Sequence, residues 1–233
     1  MSTFLVRPAG TEDLPRLVSL NQEAYPELVA SGMVFEPAQV GAQHAVFPDG
    51  QLVVEEDGNV VGAIATLIVS SAAALRPHTW AEITSHGTFA RHDATSGDAL
   101  YLADIYVHPR AQGRGVGAAL YDALFRLCER RRLARVVAGG RLWGYHEVAA
   151  SMTPARYVEE VVSGYRKDRV LTSQLRAGFT VRGILERYLD DWRSASYATH
   201  LVWESSLARP RDTARPARTA ASAVQSDGEA VPS

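Results

Sequence analysis

Gln112-Gly113-Arg114-Gly115-Val116-Gly117 places glycine at three alternate positions, and its flanks constrain the fold more than any other stretch. Before it, residues 100–108 read as a strand that Pro109 ends, since proline cannot donate to a ladder. After it, Val116, Leu120, Ala123, Leu124 and Leu127 recur at helical spacing, with Asp122, Arg126, Glu129 and Arg130 opposite, so a helix runs to about Arg131. A strand–glycine turn–helix unit lets backbone approach a ligand closely. The first N–H groups of the helix lack internal partners and sit at the positive end of its dipole, so such a turn can cradle a pyrophosphate. Gly113-Arg114-Gly115-Val116-Gly117-Ala118 also satisfies the dinucleotide pattern, which expects an acid at the end of the next strand. That strand, 135–138, runs into Gly139-Gly140-Arg141 without one, which speaks against a nicotinamide cofactor. On the glycines alone, a tight connection that holds no ligand stays open.

The rest of the chain supplies the elements of one α/β sheet with helices on its faces. Residues 4–7 read as a first strand, and Thr11 as the cap of a helix carrying Leu14, Leu17 and Val18 on one face; 37–46 is a weaker helical stretch. Strands 51–56 and 59–70 form a hairpin on Asp57-Gly58, a dipeptide that accepts the positive φ of a tight turn. The stretch 71–97, with His78, His86 and His92, reads as a long loop. Thr153-Pro154 opens a helix, a shorter one at 170–177 stops at Gly178, and 179–185 and 197–203 are the last strands. After Glu204 no aromatic residue appears, so the expectation is one folded domain, 1–204, and a disordered tail, 205–233.

Composition narrows the function. Cys128 is the only cysteine, and neither a disulfide nor a metal site is expected. No apolar run approaches the ~20 residues of a membrane span, and the N-terminus lacks a signal-peptide core, so a cytoplasmic protein is expected. Net charge is −2, from 24 basic and 26 acidic residues, which gives nucleic acid no global attraction. The run Arg130-Arg131-Arg132 with Arg135 reads as a solvated helix end.

Asp104-Ile105-Tyr106-Val107-His108-Pro109 followed by the glycine run resembles the Q/R-x-x-G-x-G/A signature of the GCN5-related N-acetyltransferases (GNAT). The order of elements from Phe4 to Trp203 fits that family too. Gly139-Gly140-Arg141, Gly144-Tyr145, Met152-Thr153-Pro154, Tyr157-Val158, Gly178-Phe179, Arg182-Gly183-Ile184-Leu185 and Leu201-Val202-Trp203-Glu204 are similar to the acetyltransferase half of proteins fused to a carbon–nitrogen hydrolase, a nitrilase-like amidase. The resemblance implies a single GNAT-type domain with a mixed, mostly antiparallel sheet. It implies an N-acetyltransferase that moves acetyl from acetyl-CoA to an amine, the acceptor being a small molecule. Another donor (acyl-carrier protein or acyl-tRNA), or a CoA-sensing domain that partners an amidase, are the alternatives. The chain is expected to be a monomer or homodimer.

Site residues carry over position by position. Ile105, Tyr106 and Val107 would lie along the pantetheine, and the N–H groups of Gln112, Gly113, Arg114, Gly115, Val116, Gly117 and Ala118 along the pyrophosphate. Arg110 and Arg114 would add positive charge. The Val107 N–H would polarise the thioester carbonyl. Asp104 shares a strand face with Tyr106 and is the candidate to orient the amine or take its proton; the alternative is a buried aspartate bonded to backbone. Tyr106, Arg141, Tyr145 and His146 are candidates for the acceptor pocket, whereas His108 reads as a loop residue. Many family members place a tyrosine four residues before the Gly-Phe, to protonate the leaving sulfur. This chain has Gln174 there, which can only offer an amide N–H, and Tyr157 and Tyr165 read as packing residues before substitutes.

Overall fold

The computed structural model describes residues 4–206; positions 207–233 of the expected tail lie outside the described residues. Its strands are β1 (Leu5–Pro8), β2 (Gln51–Glu56), β3 (Asn59–Val69), β4 (Ala99–Val107), β5 (Arg135–Arg141), β6 (Thr180–Leu185) and β7 (Ala198–Glu204). They build one sheet in the order β1-β2-β3-β4-β5-β7-β6, in which only β4 and β5 run parallel. Pro8 is tolerated because β1 is an edge strand. The helices are α1 (Leu14–Ala24), α2 (Pro26–Val29), α3 (Pro37–Val46), α4 (Ser71–Ala74), α5 (Trp80–Thr84), α6 (Val116–Arg130), α7 (Pro154–Val162) and α8 (Leu171–Ala177). None of them is long and apolar enough to cross a membrane, among the described residues.

Each face of the sheet carries its own core. α6 presents Leu120, Leu124 and Leu127, all at most 1% exposed, to Leu100, Leu102 and Val136; each such leucine stabilises the fold by about 1.5–3 kcal/mol. On the other face α1 and α3 cover Val53, Leu67 and Tyr101 with Leu17, Leu20 and Val40. α7 starts with Thr153 capping Arg156 N–H and Pro154 in the first turn, and α8 ends on Gly178 at φ +105°.

Two expectations need correction. Thr11 is not a helix cap: residues 11–13 form a 3₁₀ turn, and Asp13 accepts from Gly10 N–H while held by Arg7 at 2.6 Å. The 71–97 stretch is not one loop but contains α4 and α5. Ser70 caps the first, and Thr79 with Glu82 forms a reciprocal capping box on the second. Beyond β7, Ser205 is buried and its N–H donates to Ala134 O.

What positions the site is an irregularity in the middle of the sheet. Ala65 pairs with Asp104 but Thr66 with Leu102, so Ala103 is an extra residue that bulges β4. Trp80 Nε1 donates to the Ala103 carbonyl at 3.0 Å. On the other edge of β4, pairing with β5 covers only Ala99–Leu102 against Arg135–Ala138. From there the two strands part.

Candidate active site

The parted strands open a cleft of about 1220 Å³. One wall is the glycine turn and the start of α6. Gly113 and Gly115 have φ of +73° and +94°, which side-chain-bearing residues rarely adopt. A Cβ on Gly113 or Gly117 would meet nothing within 4 Å. No side chain caps the first turn of α6, so its N–H groups are open to an anion. Gln112, Gly113, Gly117 and Ala118 line the cleft beside Ile105, Tyr106 and Val107. Val116 instead turns into the core, and Arg114 is paired with Glu56 on β2 at 3.0 Å.

The register fixes where the β4 amides point. His108 N–H donates to Val61 O at 2.8 Å, and antiparallel alternation then turns the N–H groups of Val107 and Ile105 away from β3, toward the gap. Asp104 Oδ1 takes the one on Ile105 at 2.8 Å. The Val107 N–H therefore faces the cleft, while its carbonyl accepts from Gln112 Nε2 at 3.0 Å.

Asp104 is fully engaged. Asn21 Nδ2 donates to Oδ2 at 2.9 Å, and Tyr25 Oη lies 2.8 Å from Oδ1. The same phenol is 2.7 Å from Ile105 O, yet it has one proton for two acceptors. A proton on the Asp104 carboxyl satisfies all of them: it goes to Tyr25 Oη, and Tyr25 donates to Ile105 O. Burial pushes the carboxyl above the usual carboxylate range, against the opposing pull of Tyr25, Arg141 and Asn21. With both oxygens engaged by neighbours, the carboxyl braces the bulge.

Gln174 lines the cleft from α8, 3% exposed, with Oε1 lacking a partner. Tyr121 lines the cleft beside Ser173 and Gln174, and burial pushes its hydroxyl pKa up to about 12. Arg141 also lines the cleft, over the Tyr25 ring at 5.0 Å, with Asp191 at 3.2 Å.

Tyr145 and His146 do not join the site. The Tyr145 hydroxyl donates to Met152 O and its ring packs edge-on against Tyr157 and Tyr197. His146 lies against Trp192, outside the cleft lining, with Nδ1 3.1 Å from Arg193 O. Tyr157 donates to Asp168 and Tyr165 is 83% exposed, so neither reaches the cleft. The residues that sequence reasoning missed are Asn21, Tyr25, Phe35, Trp80, Tyr121 and Tyr188. One signal was available for Tyr188. Gly139 sits inside a strand because a Cβ there would come within 2.1 Å of the Tyr188 ring.

The model of the acetyltransferase (GNAT) family matches residues 14–147, which hold the bulge, the parted strands and the glycine turn. The chain belongs to the GNAT family. This GNAT domain is 31% identical over 200 residues to the uncharacterized N-acetyltransferase YkwB of Bacillus subtilis (strain 168), covering 86% of the chain and 88% of YkwB. It is 32% identical over 218 residues to the probable hydrolase YhcX of the same strain. There it covers 91% of the chain but only 40% of YhcX, which fits a GNAT unit fused to a hydrolase. Among solved structures, the GphF GNAT-like decarboxylase in complex with isobutyryl-CoA superimposes with a TM-score of 0.72 at 24% identity, over 86% of this GNAT chain and 98% of GphF. These comparisons place the chain among acyl-transferring enzymes.

Proposed function

We propose that this GNAT domain transfers acetyl from acetyl-CoA to the amine of a small molecule. The observation that carries the reading is the Val107 N–H turned into the gap between β4 and β5, next to the uncapped start of α6. The pyrophosphate would take the N–H groups of the glycine turn, and the pantetheine arm would lie along Ile105–Val107. As the amine nitrogen attacks the thioester carbon, the Val107 N–H stabilises the developing oxyanion, the C–N bond forms and the C–S bond breaks. The sulfur leaves as thiolate, which a thiol of pKa near ~8.5 does readily. One ammonium proton passes to solvent before attack, and the nitrogen loses a second as the tetrahedral adduct collapses, which the departing thiolate or solvent takes up. Gln174 and Tyr121 stand beside the pantetheine path, where an amide N–H and a phenol suit a developing thiolate. Asp104 acts as a positioning residue: through Ile105 N–H and Tyr25 it holds the bulge that aims the Val107 amide.

The test is titration calorimetry with acetyl-CoA, followed by thiol release and product mass over a panel of amines. Binding near one per chain and amine-dependent thiol release are expected. No acetyl-CoA binding would overturn the reading. Binding with carbon dioxide release from malonyl-CoA, and no amine turnover, would favour decarboxylation instead, the activity named for GphF.

A further inference from the structure

The face of the cleft opposite the glycine turn is walled by aromatic rings from separate segments. Ring centroids of Phe35 and Trp80 are 5.9 Å apart, those of Phe35 and Tyr106 6.5 Å, and those of Tyr25 and Tyr106 6.4 Å. Tyr188 closes the floor over Gly139. Nearly every polar atom on these rings is engaged inside the protein. Trp80 Nε1 donates to Ala103 O, Tyr25 Oη lies between Asp104 and Ile105, and Tyr188 Oη is 2.9 Å from Tyr101 Oη. Tyr106 is the exception. Its hydroxyl has no hydrogen-bond partner among the described residues, although its ring lines the cleft. Burial and the nearby Asp104 hold that phenol well above its ordinary pKa, so it stays neutral.

The charges around this wall are matched against one another. Arg141 has Asp191 at 3.2 Å and Glu27 at 3.6 Å, and Arg193 shares Glu27 at 4.0 Å. The Arg193 guanidinium lies over both Trp143, at 4.4 Å, and Trp192, at 4.7 Å. Glu23 is held by Arg16 at 2.8 Å and faces His108 at 3.2 Å. Asp122, Arg169, Arg176, Arg187 and Asp190 also line the cleft, Arg169 over the Trp143 ring at 5.4 Å. Among the rings themselves the Asp104 carboxyl is taken up by Asn21, Tyr25 and the Ile105 N–H, and an unpaired charge taken off water is costly.

Within the transfer reading above, on which this rests, we propose that the acceptor is a primary monoamine on an aromatic or similarly bulky apolar skeleton, held among these rings with its ammonium at the Tyr106 hydroxyl. The ammonium donates to Tyr106 Oη and lies against ring faces that attract a cation. Once deprotonated, its lone pair is free for the thioester carbon. Polyamines and amino acids bring a further charge against a wall of rings, at a desolvation cost.

The experiment compares 2-phenylethylamine, phenylalanine and spermidine as acceptors, using the full chain with acetyl-CoA, thiol release and product mass. Phenylalanine differs from 2-phenylethylamine only by its carboxylate. A kcat/KM at least about tenfold higher for 2-phenylethylamine than for either competitor is expected. Tyr106→Phe keeps the ring and should lower that kcat/KM severalfold while the Kd for acetyl-CoA is unchanged. Preference for phenylalanine or spermidine overturns the proposal, as does no turnover of 2-phenylethylamine by a protein that binds acetyl-CoA. An unaltered Tyr106→Phe removes the hydroxyl from the site. Failure to bind acetyl-CoA at all sinks the transfer reading and this inference with it, a result the other outcomes do not mimic.

Discussion

The two walls of the cleft are made of different material. The glycine wall is backbone, contiguous in sequence from Ile105 to Ala118, and its recognition groups are amides whose directions the strand and helix fix. The aromatic wall is side chain, gathered from the residue between α1 and α2, the segment before α3, α5, β4 and the turn after β6. A backbone wall can change little without losing its geometry, so it suits a component common to many reactions. A wall of side chains on separate segments can be rebuilt one residue at a time, and so suits the component that varies.

Substitutions can separate the walls. The largest effect is expected from Gly117→Val. A side chain there meets nothing in the protein, so Tm should hold while acetyl-CoA affinity falls about a hundredfold, ~2.7 kcal/mol by calorimetry. A retained affinity would break the assignment of the glycine wall. Next comes Gly139→Ala. Its Cβ would collide with the Tyr188 ring, so a loss of about 1–3 kcal/mol in denaturant unfolding is expected, with acetyl-CoA affinity preserved. An equal loss of affinity would mean the two walls are one mechanical unit.

Asp104→Asn gives a smaller signal, read from its pH trend. A carboxyl whose folded pKa is raised stabilises the fold at low pH, and that contribution is lost as pH rises through the folded pKa. Asparagine does not titrate. The Tm of the variant relative to the parent should therefore improve as pH rises above about 4, the ordinary range of an aspartate. The opposite trend would mean that Asp104 is a stabilised carboxylate and restore it as a base. The smallest effect is expected from Arg114→Ala. Its charge is committed to Glu56 and partly exposed, so acetyl-CoA affinity should change by less than about threefold.

The same contrast explains what the sequence revealed. Gly113 and Gly115 announce themselves because a strand–helix turn with positive φ leaves few alternatives to glycine, and Gly117 follows them in the first turn of α6. The Asp57-Gly58 hairpin, the Thr153-Pro154 start and the Gly178 stop were legible for equally local reasons. The aromatic wall was not, since Tyr25 meets Asp104 across 79 positions and no periodicity encodes that contact. Ala103 was hidden as well: in Leu-Tyr-Leu-Ala-Asp-Ile-Tyr-Val one extra residue leaves no compositional trace. Tyr145 and His146 misled because they follow β5 closely. At Gly144 the chain turns, held by Asp168, and carries both away from the opening.

The short β4–β5 ladder has a consequence for the life of the molecule. The half-sheets β1–β4 and β5–β7 are joined in hydrogen bonding by four residue pairs, so beyond Leu102 and Ala138 no ladder ties one half to the other. A thioester bound in that seam, as proposed, would touch both halves and stabilise the folded chain as its concentration rises above its Kd. How long each copy survives proteolysis would then track the supply of the compound it consumes.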